Sequence, residues 1–182
     1  MIKKIAVIGN IAGGKSRLCR HLQVQFQLPL THIDSLQFNS QLEVLPLNHI
    51  RGLLQQIEQQ DNWIIDGFGP LDMLEARLQK ADLVVFVDLP RWRHIWWLTL
   101  RQIKVAFNPR PELPSGSQEW RWQHMRKLYQ TLNKVDRLML PELRRILSRP
   151  HYHKKLIHIK SLQQLNSFYS CSDLTSLLSN PD

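Results

Sequence analysis

The chain has 182 residues, enough for one α/β domain with a sizeable core and too few for two full domains. No stretch approaches the ~18 uninterrupted apolar residues of a membrane span, and the two cysteines, Cys19 and Cys171, give neither a disulfide framework nor zinc-ligand spacing, which suits a reducing, cytoplasmic setting. The formal charge of +9 is lopsided, with sixteen basic and four acidic residues in 91–160 against eight and nine in 1–90, so the second half would attract a nucleic acid, an anionic surface or a polyphosphate.

Met1-Ile2-Lys3-Lys4 is basic and then apolar, but no small-residue cleavage pattern follows the short apolar run, so residues 2–8 are expected to form a buried first strand rather than a leader. That strand runs into Gly9-Asn10-Ile11-Ala12-Gly13-Gly14-Lys15-Ser16, which fits G-x-x-x-x-G-K-[ST]. Gly9 and Gly14 permit backbone conformations that a Cβ would penalise, so successive N–H groups can converge on phosphate oxygens at the start of the next helix. Gly9, Ala12, Gly13, Gly14, Lys15, Ser16 and Arg17 are therefore the expected nucleotide-binding residues. Lys15 would meet the β- and γ-phosphates, the Ser16 hydroxyl would ligate Mg²⁺, and Arg17 would add charge near the α-phosphate.

Residues 15–27 read as a helix with Leu18, Leu22 and Phe26 on one face, stopped at Leu28-Pro29. A short strand at 30–34 ends in Asp34, and an irregular polar stretch leads to Pro46. A helix follows at 47–60, then a strand and its exit turn, Trp63-Ile64-Ile65-Asp66-Gly67. A short helix at 71–78 precedes a strand at 82–89 that carries Asp88 at its end. The next helix, 91–107, enters a proline-rich segment at 108–117, which must be a loop. A long basic helical stretch covers 119–147 with Pro141 marking a kink or break. A last strand at 155–159 and a helix from a Ser161 cap complete the pattern.

Strands alternating with helices imply a parallel sheet with right-handed crossovers and a ligand site at the carboxyl ends of its strands. Strands one to four each end there in a chemically useful group: the phosphate loop, Asp34, Asp66 and Asp88.

Asp66-Gly67-Phe68, Asp88-Leu89-Pro90 and the helix from Arg91 to Arg101 resemble the nucleoside monophosphate kinase group of P-loop proteins. The order of Asp34-Ser35-Leu36-Gln37-Phe38, Trp63 to Gly67, Ala81 to Arg91 and Glu119-Trp120-Arg121-Trp122 is most similar to adenylate-kinase-like bacterial proteins labelled DNA topology modulation proteins, over about residues 1–168. The resemblance implies a single domain over 1–182, a three-layer P-loop NTPase fold and a five-stranded parallel sheet of order 2-3-1-4-5. It also implies a substrate-binding helical insert at about 35–60, a lid at about 105–126, and phosphoryl transfer from ATP with Mg²⁺ to a small molecule or nucleotide. Positioning and charge neutralisation carry most of such a reaction, so Arg101, Arg110, Arg121 and Arg126 become candidates for contacting the transferring group; a solvated basic helix face is the alternative.

By the same resemblance Asp66 would support Mg²⁺ through water, the alternative being a turn-forming Asp before Gly67. Asp34 would hold or deprotonate an acceptor hydroxyl, or else cap a turn. Asp88 reads as structural. No arginine follows the Asp66-Gly67-Phe68 turn until Arg77, which speaks against AMP as acceptor. Five of the six tryptophans lie between residues 92 and 122 among arginines; they would either stack bases or, as Trp92 and Trp96 at i, i+4 suggest, pack the two flanking helices together. A second function stays open on charge: an ATP-binding, DNA-associated protein without a small acceptor. The sequence fits a monomer or a homodimer.

Overall fold

Apolar runs of four to six residues, buried on both faces, form the middle of the molecule: β1 (Lys4–Gly9), β3 (Trp63–Asp66) and β4 (Leu83–Val87). In the computed structural model of the chain the described residues are 2–37, 45–107 and 118–170, with only the backbone described at 37, 101–102, 104–107 and 118–125. Two shorter strands, β2 (Leu30–His32) and β5 (Leu156–Ile159), flank the sheet. All neighbours pair in parallel and the order is β2-β3-β1-β4-β5, as expected.

Strand alternation divides the core into two. Ala6, Ile8, Ile65, Val84 and Phe86 face one side, against α2 (Leu47–Gln59), α3 (Leu71–Lys80) and α6 (Leu140–Leu147), through Leu54, Leu74, Leu78, Leu143 and Ile146. Ile5, Val7, Ile64, Val85 and Val87 face the other, against α1 (Lys15–Phe26) and α7 (Leu162–Ser170), through Leu18, Leu22, Leu165 and Phe168. Each such side chain, fully buried, is worth roughly 2 kcal/mol of transfer free energy, which is what holds the three layers together. Ser161 caps α7 by accepting the N–H of Gln164 at 3.1 Å, while the Gln164 side chain accepts the N–H of Lys160 at 2.7 Å.

The strand expected at 30–34 ends at His32, and Ile33–Gln37 turns into a 3₁₀ helix. Asp34 therefore sits two residues past the end of β2. The long helical stretch is α5 (Gln118–Lys134), which passes without a break through a π-helical turn, Val135–Met139, into α6. Pro141 lies in the first turn of α6, directly after the π-helical turn, and the N–H of Leu140 reaches Val135 O across the wider turn. The distortion expected at Pro141 is thus absorbed upstream of it.

The indoles behave differently from expectation. Trp92 and Trp96, on α4 (Arg91–Phe107), are 60% and 57% exposed, and the Arg93 guanidinium lies 4.4 Å from the Trp92 ring centroid. Polar contacts join α4 to α5 and the turn after it: Thr99 Oγ1 with Tyr129 OH at 2.6 Å, Arg91 Nη2 donating to Asn133 Oδ1 at 2.6 Å, and Arg91 with Asp136 at 3.7 Å. The i, i+4 spacing does put Trp92 and Trp96 on one stripe, but His94 and Leu98 occupy the buried one. Trp97 alone of the three packs inward, against the α1/α7 core. The side chains of Trp120 and Trp122 lie outside the described residues.

Much of the basic excess is spent on joining the two halves of the chain. Arg149 pairs with Glu75, and Arg144 donates from Nε and Nη2 to both oxygens of Asp88 at 3.0 and 2.7 Å. His158 Nε2 donates to Asp88 Oδ2 at 3.1 Å, with its ring stacked on Phe86. Burial alone would raise the Asp88 carboxyl, but the His158 and Arg144 hydrogen bonds outweigh it and bring it from its ordinary 3.8 to about 2. A depressed carboxyl adds stability above its unfolded value and loses it as pH falls through the folded one, here between about 4 and 2, worth about 2 kcal/mol. Urea unfolding between pH 5 and 2 checks this: Asp88→Asn, already weaker at pH 5, should lose less over that window than the parent protein.

Candidate functional site

β1 lies next to β4 in register Gly9↔Val87, and this closeness decides the first residue of the loop. A Cβ at Gly9 would stand 2.3 Å from the Val87 carbonyl oxygen, so only glycine lets the chain leave the sheet here. Ala12 adopts φ 53° and Gly14 φ 79°, both left-handed, and α1 begins directly after Gly14, whose carbonyl accepts the N–H groups of Arg17 and Leu18 at 3.2 Å. The result is a curl of backbone over a helix N-terminus, the arrangement that gathers N–H donors around an anion.

Lys15 Nζ donates to the Asn10 carbonyl at 2.8 Å, so the ammonium folds back over the loop. Ser16 and Arg17 are exposed on the first turn of α1, and the Arg17 guanidinium lies 4.9 Å from the Tyr169 ring centroid on α7. Cys19, one turn further, is buried, and burial, reinforced by nearby Asp66, pushes its thiol far up. It is no nucleophile.

Two elements grip the loop from outside. Asn10 is buried; its Oδ1 accepts the Ile11 N–H at 2.8 Å and its Nδ2 donates to Leu132 O of α5 at 3.3 Å. His94 of α4 is also buried, and its Nδ1 donates to the Ile11 carbonyl at 2.8 Å. Burial, with Lys15 adding to it, holds the His94 imidazole below its ordinary value, so it is neutral at pH 7 and its Nδ1 proton belongs to this hydrogen bond.

Register places Asp66 beside Val7 of β1 and His32 of β2, at the carboxyl ends of the strands. The His32 Nδ1–H donates to Asp66 Oδ2 at 2.8 Å, and Oδ1 is buried with no partner among the described residues. Asp34, two residues after His32, is exposed. Arg126 is exposed on α5, about 9 Å along the axis from the Leu132 carbonyl that meets Asn10. Arg110 lies outside the described residues, as do the side chains of Arg101 and Arg121.

The fold at this point has recognisable company. A shikimate kinase from Acinetobacter baumannii in complex with shikimate matches the whole of this chain and 96% of its own, with a TM-score of 0.60 and 15% sequence identity. The fold is that of a P-loop kinase. The shikimate kinase of Bacteroides thetaiotaomicron matches 99% of this chain and all of its own, with a TM-score of 0.51 and 16% identity. No protein-family model and no curated protein matches the sequence. The P-loop kinase half of the sequence resemblance is thus seen in the fold, and these neighbours carry nothing specific to the DNA topology modulation group.

In this P-loop kinase fold the structure brings the loop, Lys15, Ser16 and Asp66 together at the carboxyl ends of the central strands. Asn10, His32 and His94 were not foreseen. Asn10 stands at an unspecified position of the motif, and the only trace of His94 is a polar residue among apolar neighbours on the inner stripe of α4. Among the described residues no group of three or more His, Cys, Asp and Glu side chains could hold a metal alone, and no helix is long and apolar enough to cross a membrane.

Proposed function

We propose that the protein is a Mg·ATP-dependent phosphotransferase that moves the γ-phosphoryl group to a small-molecule or nucleotide acceptor. The observation that carries the reading is the phosphate loop itself, with its left-handed turns at Ala12 and Gly14 and with Lys15 and Ser16 opening α1. Loop amides and Lys15 bind the donor's phosphates. Ser16 and Asp66 fit Mg²⁺: the buried Oδ1 of Asp66 has no partner among the described residues, and His32 fixes the carboxylate by holding the other oxygen. Bound there, the ion would neutralise charge building on the phosphoryl oxygens. Asp34 is the residue proposed to hold the acceptor hydroxyl and take its proton, with α2 on the acceptor side.

Arg77 bears on what the acceptor is. Its guanidinium is fully buried, with Nε donating to Glu58 Oε1 at 2.9 Å and Nη1 to the carbonyls of Gly67 and Phe68 at 3.0 and 3.1 Å. It is not available to grip an acceptor phosphate, which favours a hydroxylated acceptor over a nucleoside monophosphate. The neighbours named for shikimate make a cyclic hydroxy acid the first compound to try.

The test is ADP release, measured across nucleoside monophosphates, sugars and shikimate-like hydroxy acids at fixed Mg·ATP. Turnover with one class and none without acceptor is expected; no turnover with any, alongside salt-dependent DNA binding, would replace the reading. With the active acceptor, Asp66→Asn should raise the Mg²⁺ concentration for half-maximal rate about tenfold, from the loss of one charge-assisted contact, and leave the melting temperature little changed. An unshifted Mg²⁺ requirement would remove Asp66 from the metal site.

A further inference from the structure

The phosphate loop is not left to order itself on its ligand. We infer that His94 and Asn10 are positioning residues that clamp the loop backbone between α4 and α5, holding its N–H groups ready for a polyphosphate before one arrives. The inference rests on the nucleotide-binding reading above and goes beyond it, because the motif that defines the loop specifies neither residue.

The geometry is specific. The two buried side chains act on one loop residue, Ile11: His94 reaches it from α4, and Asn10, within the loop, is anchored on α5. His94 holds the Ile11 carbonyl, and a Cβ built on Gly13 would stand only 3.0 Å from His94 Cε1, so the ring also fills the space beneath the glycine turn. Asn10 uses both ends of its amide: Oδ1 fixes the Ile11 N–H and Nδ2 is anchored on the Leu132 carbonyl of α5. The Ile11 residue thus has its N–H held through one clamp and its C=O through the other.

The two helices are themselves tied at their bases by Arg91 with Asn133 and Asp136, and further along by Thr99 with Tyr129. The clamp is therefore anchored to a joined pair. A backbone segment fixed in this way loses little further freedom on binding, and ordering costs of that kind otherwise weaken affinity. Its left-handed Ala12, a conformation alanine rarely adopts, is consistent with a loop whose shape its surroundings impose.

The experiment is calorimetric titration of the full chain with the Mg²⁺ complex of the β,γ-imido analogue of ATP and, separately, with inorganic tripolyphosphate. His94→Ala should weaken both by a similar factor, about tenfold, since the clamp acts on the phosphate cradle and not on the base. His94→Asn should recover most of the loss, because the asparagine amide nitrogen takes the place of Nδ1. Asn10→Ala should give a loss of the same order, and the double variant less than the product of the two.

A merely structural His94 would lower the melting temperature without this pattern. Hydrogen exchange separates the two: loop amides at 10–14 should exchange faster in His94→Ala while β1 and β4 keep their protection. Wild-type affinity in His94→Ala, or His94→Asn no better than His94→Ala, overturns the inference. A parent protein that binds neither ligand overturns the phosphotransferase reading itself, and the clamp's role in binding with it.

Discussion

Lys15→Ala should weaken binding of Mg·ATP by about 100-fold and abolish turnover, while the protein melts within a degree or two of the parent. The magnitude follows from one charge-assisted contact to a polyphosphate in a partly buried site, about 3 kcal/mol. The small effect on stability follows from the place of the side chain. Lys15 makes one described hydrogen bond, to the Asn10 carbonyl, and its stem is only partly buried, so the folded state gives up little when it is cut back. Equilibrium titration and thermal melts on the same sample check both halves. Undiminished affinity would mean that the loop is not the donor site.

The largest effect on stability is expected at Arg77. Arg77→Met should cost roughly 3–5 kcal/mol, the range for breaking a buried ion pair by removing one partner. Glu58, itself buried, would be left with Lys80 at 3.7 Å as its remaining cation among the described residues, and the carbonyls of Gly67 and Phe68 would lose their shared donor. Pairing Arg77→Met with Glu58→Leu should recover part of the loss by removing the stranded carboxylate, but not all, because the two carbonyls stay unsatisfied. Urea denaturation of the single and double variants decides it: a double variant less stable than Arg77→Met would contradict this account. Since Gly67 and Phe68 directly follow Asp66, the single variant should also raise the Mg²⁺ requirement where it still folds.

How far the sequence reached follows from what kind of force shapes each part. β1, β3 and β4 are buried on both faces, so an uninterrupted apolar run was a sufficient signal, and the loop was legible because its glycines answer to steric demands local to a few residues. His32 was read only as part of a strand. Its pairing with Asp66 depends on β2 lying beside β3, a long-range register that no local pattern carries. The same holds for Asn10 with Leu132, 122 residues apart, and His94 with Ile11, 83 apart. Asp88 reads as structural in the sequence, and its partners Arg144 and His158 come from elements far along the chain. Trp92 and Trp96 misled for the opposite reason: i, i+4 spacing fixes that two side chains share a face, and leaves open which way the face turns.

The π-helical turn at Val135–Met139 acts as a phase shifter in a continuous rod. The inward-facing residues run Leu132, Val135, Leu140, Leu143, Leu147, and the one step of five falls across that turn. In an unbroken α-helix a step of five would swing the second set about 140° away from the first. The π turn absorbs the extra residue, so the upstream half presents the Leu132 carbonyl to Asn10 while the downstream half presents Arg144 to Asp88. Deleting one residue there, exposed Leu138 being the natural choice, would turn the step of five into a step of four and leave a regular α-helix with both halves on one face, so the anchor on the loop and the anchor on the sheet should both survive.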